Sequence, residues 1–239
     1  MTVELLIFDC DGVLIDSEPV ASRVFWKALQ GAGVTLTHAE VHSRFTGYSE
    51  EDAKRICMEE LGLEDATEVF ENARASLYAE FARSLAPMPG MEKFIPSLTC
   101  RKCVASNSTM DRLRNSLGLF DLWGEFHPNI FSAEMVARPK PAPDLFQLCA
   151  RILGIAPRAC VVIDDSVHGV AGAVAAGMKA IGFVDPNDPR SGRVDVLAGA
   201  GAVAVATGVE ELARVLETLF AATTPHPTER DAMAMPAPA

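Results

Sequence analysis

Short apolar runs alternate with helix-period stretches along most of the chain, and this alternation predicts the architecture. Residues 4–8, 101–105, 159–163, 179–184 and 202–206 are β-type runs that end in polar residues and precede helical patterns, with 129–134 a weaker strand candidate. Strands alternating with helices predict a parallel sheet covered on both faces. Leu145, Leu148, Cys149 and Ile152 recur at helical spacing after the start signal Pro141-Ala142-Pro143-Asp144. Residues 167–177 are nearly all Val, Ala and Gly, a composition that lets a helix approach the sheet closely.

The gap between the first two strands departs from this rhythm. Residues 17–86 hold no convincing strand, but Val20, Ala21, Val24, Phe25, Ala28 and Leu29 form one amphipathic stripe and Phe70, Ala73, Leu77 and Phe81 another. The spacing predicts a helical insertion, left through Asp16 to Pro19 and re-entered through Pro87-Met88-Pro89-Gly90. The fold expected is α/β: a doubly wound parallel sheet core (1–16 and 87–222) with an inserted all-helical cap (17–86). The proline-bearing tail, 223–239, is expected to be disordered.

Composition narrows the partners. The 239 residues carry 21 Lys plus Arg against 32 Asp plus Glu, a net charge of −11 that disfavours nucleic acid and anionic membranes. The uncharged stretch 196–209 is too short and too rich in Gly and Ala for a membrane span. The chain opens without a basic signal region, so the cytoplasm is the expected location, with a monomer or weak homodimer as the expected state. Of six cysteines only Cys100 and Cys103 are close, with no second pair to complete a zinc site, so reduced, packed thiols are expected.

In an open α/β sheet, ligands sit beyond the carboxyl ends of the strands. The first run ends Asp9-Cys10-Asp11-Gly12, and the run before residue 164 ends Asp164-Asp165-Ser166. Four carboxylates converging in one crevice repel one another unless a cation sits among them, and magnesium suits such an oxygen-only set. After the second strand, Ser106 and Asn107 offer a hydroxyl and backbone N–H groups at a strand-to-helix turn, an anion site. Lys140 stands between two prolines that stiffen its backbone and could hold its ammonium toward a phosphate.

Asp9-Cys10-Asp11-Gly12-Val13, Ser106-Asn107, Lys140 and Asp164-Asp165, in this order, resemble the haloacid dehalogenase-like hydrolases over about residues 4–185. The helical insert resembles the cap of the β-phosphoglucomutase-like subgroup. The resemblance implies that Asp9 is the nucleophile that becomes an aspartyl phosphate and Asp11 the general acid and base. It also implies that Asp9, the Asp11 carbonyl and Asp165 hold magnesium, with Asp164 in or beside that set, and that Ser106, Asn107 and Lys140 hold the phosphoryl oxygens. Members that remove halogen lack the second aspartate, so the presence of Asp11 favours phosphoryl transfer.

The implied reaction is magnesium-dependent hydrolysis of a small phosphorylated metabolite, a sugar phosphate or a phosphorylated sugar acid such as 6-phosphogluconate. A cap closing over the site fits a small molecule. The cap carries seven basic and twelve acidic residues, so magnesium and Lys140 are expected to supply most of the attraction for phosphate. Glu18, Gly47 and Tyr48 are the candidate cap contacts to substrate. The subgroup's mutases carry an arginine shortly after the glycine matching Gly47, whereas Glu50-Glu51 stand here, which weakens the alternative of a hexose-phosphate mutase. A phospho-aspartate receiver and a redox protein using Cys100 and Cys103 are further alternatives. His38 and His42, one helical turn apart without a third ligand, are expected to be a solvated pair.

Overall fold

The computed structural model describes residues 2–45, 50–188 and 190–221. Gly47, Tyr48 and the tail therefore lie outside the described residues. In chain order the elements are β1 (Leu5–Phe8), α1 (Glu18–Gly31), α2 (His38–Phe45), α3 (Glu50–Glu59), α4 (Thr67–Ser84), α5 (Met91–Ser97), β2 (Arg101–Ser106), α6 (Met110–Asn115), α7 (Leu122–Phe126), β3 (Ile130–Ser132), α8 (Asp144–Leu153), β4 (Cys160–Asp164), α9 (Val167–Ala175), β5 (Lys179–Val184), α10 (Arg193–Gly199), β6 (Ala204–Thr207) and α11 (Gly208–Ala221).

All the strand pairs are parallel, and the order across the sheet is β3-β2-β1-β4-β5-β6. The direction of strand succession reverses at β1, the position at which such sheets open a crevice. Side-chain alternation along the strands divides the core in two. Leu6, Phe8, Val104 and Ile163 pack against α5, α6, α7 and α11 through Met91, Leu113, Phe126 and Leu212. Leu5, Ile7, Cys103 and Val162 pack against α8, α9 and α10 through Phe146, Val170 and Leu197. Both faces are covered, which is why the strands read as continuous apolar runs.

Helices α1 to α4 have a core of their own around Leu29, Val41, Ile56, Cys57 and Val69. The two connections to this helical region run side by side. Ile15 and Pro87 form an antiparallel bridge, Asp16 N–H donates to the Ala86 carbonyl (2.9 Å), and Met88 N–H donates to the Leu14 carbonyl (2.9 Å).

Four local expectations need correction. Glu18 and Pro19 are not linker but open α1, where proline's fixed φ suits the first turn. Ile152 is 62% exposed, and Phe146 takes the buried position on α8. The weak strand at 129–134 shortens to Ile130–Ser132, because a 3-10 turn over Ala133–Met135 takes the chain out of the sheet. His38 and His42 are not a solvated pair: His38 Nε2 and His42 Nδ1 converge on Ser22 Oγ at 3.0 and 3.1 Å. All six cysteines are free thiols.

Candidate active site

Three neighbouring strand ends assemble the polar centre. Phe8 pairs with Val104 of β2 on one side and Ile163 of β4 on the other, so Asp9, Ser106 and Asp164 emerge together at the carboxyl edge. Asp9 N–H continues the ladder by donating to the Ile163 carbonyl (2.9 Å). Carboxylate oxygens of Asp9, Asp164 and Asp165 come within 4.8 Å of one another. Lys140, whose side chain is only 3% exposed, donates at 2.7 Å to both Asp9 Oδ1 and Asp164 Oδ2. Its ammonium also stands 5.2 Å from the centre of the Phe146 ring, an electrostatically favourable face.

Asp164 is committed on both oxygens. Oδ2 accepts from Lys140, and Oδ1 accepts from the Ser166 N–H (2.9 Å) and hydroxyl (2.7 Å). Ser166 in turn caps α9 by accepting from Gly169 N–H. Asp165 stands against Gly12, where φ is +78° and a Cβ would meet Asp165 Oδ2 at 2.7 Å. Glycine is needed there both for the backbone and for the space.

Asn107 corrects an expectation. Its side chain is not turned to an incoming anion: Oδ1 accepts from Lys140 N–H (3.0 Å) and Nδ2 donates to the Lys140 carbonyl (3.1 Å). The amide clamps the loop that carries the buried ammonium. Ser106 is 2% exposed, and its Oγ accepts from Ser108 N–H (3.1 Å), shaping the turn after β2.

Asp11 stands apart from the other three carboxylates, another correction to the expected four-way cluster. After Asp9 the chain folds into a tight turn, with Gly12 N–H donating to the Ile15 carbonyl (2.9 Å), so the extended geometry that would align Asp9 and Asp11 ends there. Its Oδ1 accepts from the Ser17 hydroxyl and from Arg112 Nη2 (3.1 Å), and Oδ2 from the Ser108 hydroxyl (2.7 Å). Asp11 lines a cavity of about 710 Å³ between the core and the helical region, with Ser17, Glu18, Arg74, Tyr78 and Arg112 among its polar walls and Phe25, Phe70 and Leu77 among its apolar ones. Nucleophile-type and proton-transfer-type carboxylates thus face different spaces.

Charge follows this division. Burial pushes the Asp9 carboxyl up to about 7; Lys140 pulls it down and Asp164 pushes it up again. Asp165 is driven well above the ordinary carboxylate range by burial and by Asp164 and Asp9. Burial acts on Asp11 in the same sense, but Arg112 and the Ser17 and Ser108 hydroxyls outweigh it and hold its carboxyl below the usual range.

Three carboxylates around one ammonium leave two negative charges uncompensated. The donors are all oxygen, so the set fits a hard divalent cation such as magnesium.

The basic groups that sequence reasoning missed are Arg112 and the pair Arg190 and Arg193. Arg193 donates to the Asp165 carbonyl, while Arg190 grips Asp188 through Nε (2.9 Å) and Nη2 (2.7 Å). No motif marks them, because loop geometry alone brings them to the strand ends.

A model of the haloacid dehalogenase-like hydrolases matches residues 3–177. The chain belongs to this family. It is 32% identical over 188 residues to a 6-phosphogluconate phosphatase of Escherichia coli, covering 78% of this chain and 85% of that one. It is also 32% identical over 202 residues to hexitol phosphatase B of the same organism, covering 80% and 89%. Among solved structures, a haloacid dehalogenase-like protein of Agrobacterium tumefaciens superposes with a TM-score of 0.81 at 34% identity, covering 90% of this chain and 98% of that one. These relationships and the strand-end carboxylates make the chain a phosphoric monoester hydrolase. No helix among the described residues is long and apolar enough to cross a membrane.

Proposed function

We propose that this hydrolase removes phosphate from a small phosphorylated sugar or sugar acid, with magnesium and through an aspartyl phosphate on Asp9. The observation that carries the reading is the separation of Asp9, beside Lys140, from Asp11, which faces the cavity. Relatives named for 6-phosphogluconate and for hexitols support the substrate class.

An Asp9 oxygen forms a bond to phosphorus while the ester P–O bond breaks, and the leaving oxygen takes its electron pair and a proton from Asp11. Water then attacks the acyl phosphate. Asp11, now a carboxylate, takes the water's proton as phosphate departs and Asp9 is restored. Asp11 paired with Arg112 is in the form that accepts a proton, so donation to the leaving oxygen requires that contact to open. Lys140 places a buried positive charge beside Asp9, where negative charge gathers in the transition state. Asp164 orients Lys140, and Asn107 fixes the backbone from which it projects. Magnesium bound by Asp9, Asp165 and the Asp11 carbonyl would neutralise phosphoryl oxygens.

Phosphate release from a panel of sugar phosphates and phosphorylated sugar acids, with magnesium and with Asp9→Asn as the blank, tests the reading. Release above the blank is expected. Conversion of a hexose phosphate to its isomer without release would replace it with a mutase.

A further inference from the structure

The comparisons do not choose between an acid and a polyol as leaving group, because the relatives named for 6-phosphogluconate and for hexitols are equally similar at 32%. The cavity beside Asp11 does carry such information. One of its walls is apolar, with Phe25, Phe70 and Leu77 offering surface to C–H groups of a carbon chain. Two guanidinium groups line it as well: Arg112 from α6 and Arg74 from α4.

Their spacing orders them along the cavity. Arg112 sits at the inner end, 3.1 Å from Asp11 and with its guanidinium carbon 5.5 Å from the centre of the Phe81 ring of α4. Arg74 precedes Phe81 by two turns on α4, about 10 Å along the helix axis. Arg112 already has a carboxylate partner in Asp11. The outer guanidinium stands several carbons away from the scissile bond, beside the face that carries Ala73 and Leu77.

We infer that Arg74 is a specificity-determining residue that reads a carboxylate at the far end of the leaving group, so that the substrate is a phosphorylated sugar acid in preference to a phosphorylated polyol. This rests on the phosphatase reading above and adds the chemical class of the leaving group. A charge-assisted hydrogen bond to a guanidinium discriminates by roughly 10- to 100-fold against the neutral analogue.

The test uses two six-carbon esters that differ at one end: 6-phosphogluconate, which ends in a carboxylate, and glucitol 6-phosphate, which ends in a hydroxymethyl group. The readout is the ratio of their kcat/KM values for the full chain with magnesium. The wild type is expected to favour the acid by about 10-fold or more, with Arg74→Met bringing the ratio near one and Arg74→Lys, which keeps the charge, retaining part of it. A wild-type ratio at or below one overturns the inference while leaving the phosphatase reading intact. So does a wild-type preference for the acid that survives in Arg74→Met, since the carboxylate is then read elsewhere. No phosphate from either ester, or from the wider panel, overturns both.

Discussion

Gly169 lies so close to Asp164 that a Cβ on it would stand 1.9 Å from the Asp164 carboxyl carbon. The first turn of α9 is therefore pressed against the carboxylate that orients Lys140. Gly169→Ala must push Asp164 away or shift the helix. We expect a loss of about 1–3 kcal/mol, the usual range for overpacking a tight site. In a melt this is roughly 2–4 °C per kcal/mol for a chain of this size. Phosphatase activity should fall further than stability, because Lys140 loses its anchor. A variant with wild-type activity would show that the Asp164–Lys140 pair is dispensable.

Asp9→Asn removes the nucleophile while keeping the shape of the side chain. Phosphate release should drop by at least about 1,000-fold, the scale on which loss of a covalent step is felt. Single turnover in oxygen-18 water gives an independent check: an aspartyl phosphate puts solvent oxygen into the phosphate first and into Asp9 only through repeated cycles. Labelling of phosphate alone over many turnovers would argue for direct attack by water.

The pH dependence of stability without metal follows from Asp9. Its folded pKa, raised to about 7 from an ordinary 3.8, means that the folded chain holds this proton more tightly than the unfolded chain. The contribution is present below the unfolded value and is lost as pH rises through the window from 3.8 to about 7. Asp165, also raised, acts in the same direction. Asp11 is lowered, so its contribution is complete above the ordinary carboxylate range and is lost only in stronger acid. After chelation, the melting temperature should thus fall between about pH 5 and about pH 7.5, and magnesium should restore more at the higher pH. Equal effects of magnesium at both values would separate the metal from these carboxylates.

Asn107→Ala should remove both hydrogen bonds to the Lys140 backbone. The expected cost is about 1–3 kcal/mol of stability. A lower kcat should accompany it, because the ammonium is then no longer fixed beside Asp9. Steady-state kinetics beside thermal melts would expose a purely structural role as lost stability with unchanged kcat.

The strand-end acids were legible because a parallel sheet brings the carboxyl ends of adjacent strands together whatever the loops do. β1, β2 and β4 could be found as apolar runs, and Asp9, Ser106 and Asp164 then had to be neighbours. What each side chain touches was not legible. Asn107 read as an anion ligand because its partner is a backbone 33 residues away, across a loop with no periodic pattern. Arg112 escaped notice because its contact with Asp11 spans 101 residues and depends on how α6 leaves the sheet. Ile152 fitted the helical period yet faces solvent, since a short helix such as α8 buries only part of an apolar stripe.

The paired connections at Leu14 to Asp16 and Ala86 to Met88 attach the helical region as a side branch, both ends at one point of the core. Replacing that branch would alter what reaches Asp11 while leaving untouched the strands that hold Asp9, Ser106 and Asp164. Chemistry and selectivity are thereby written in separate stretches of the same chain, and one can be changed without rewriting the other.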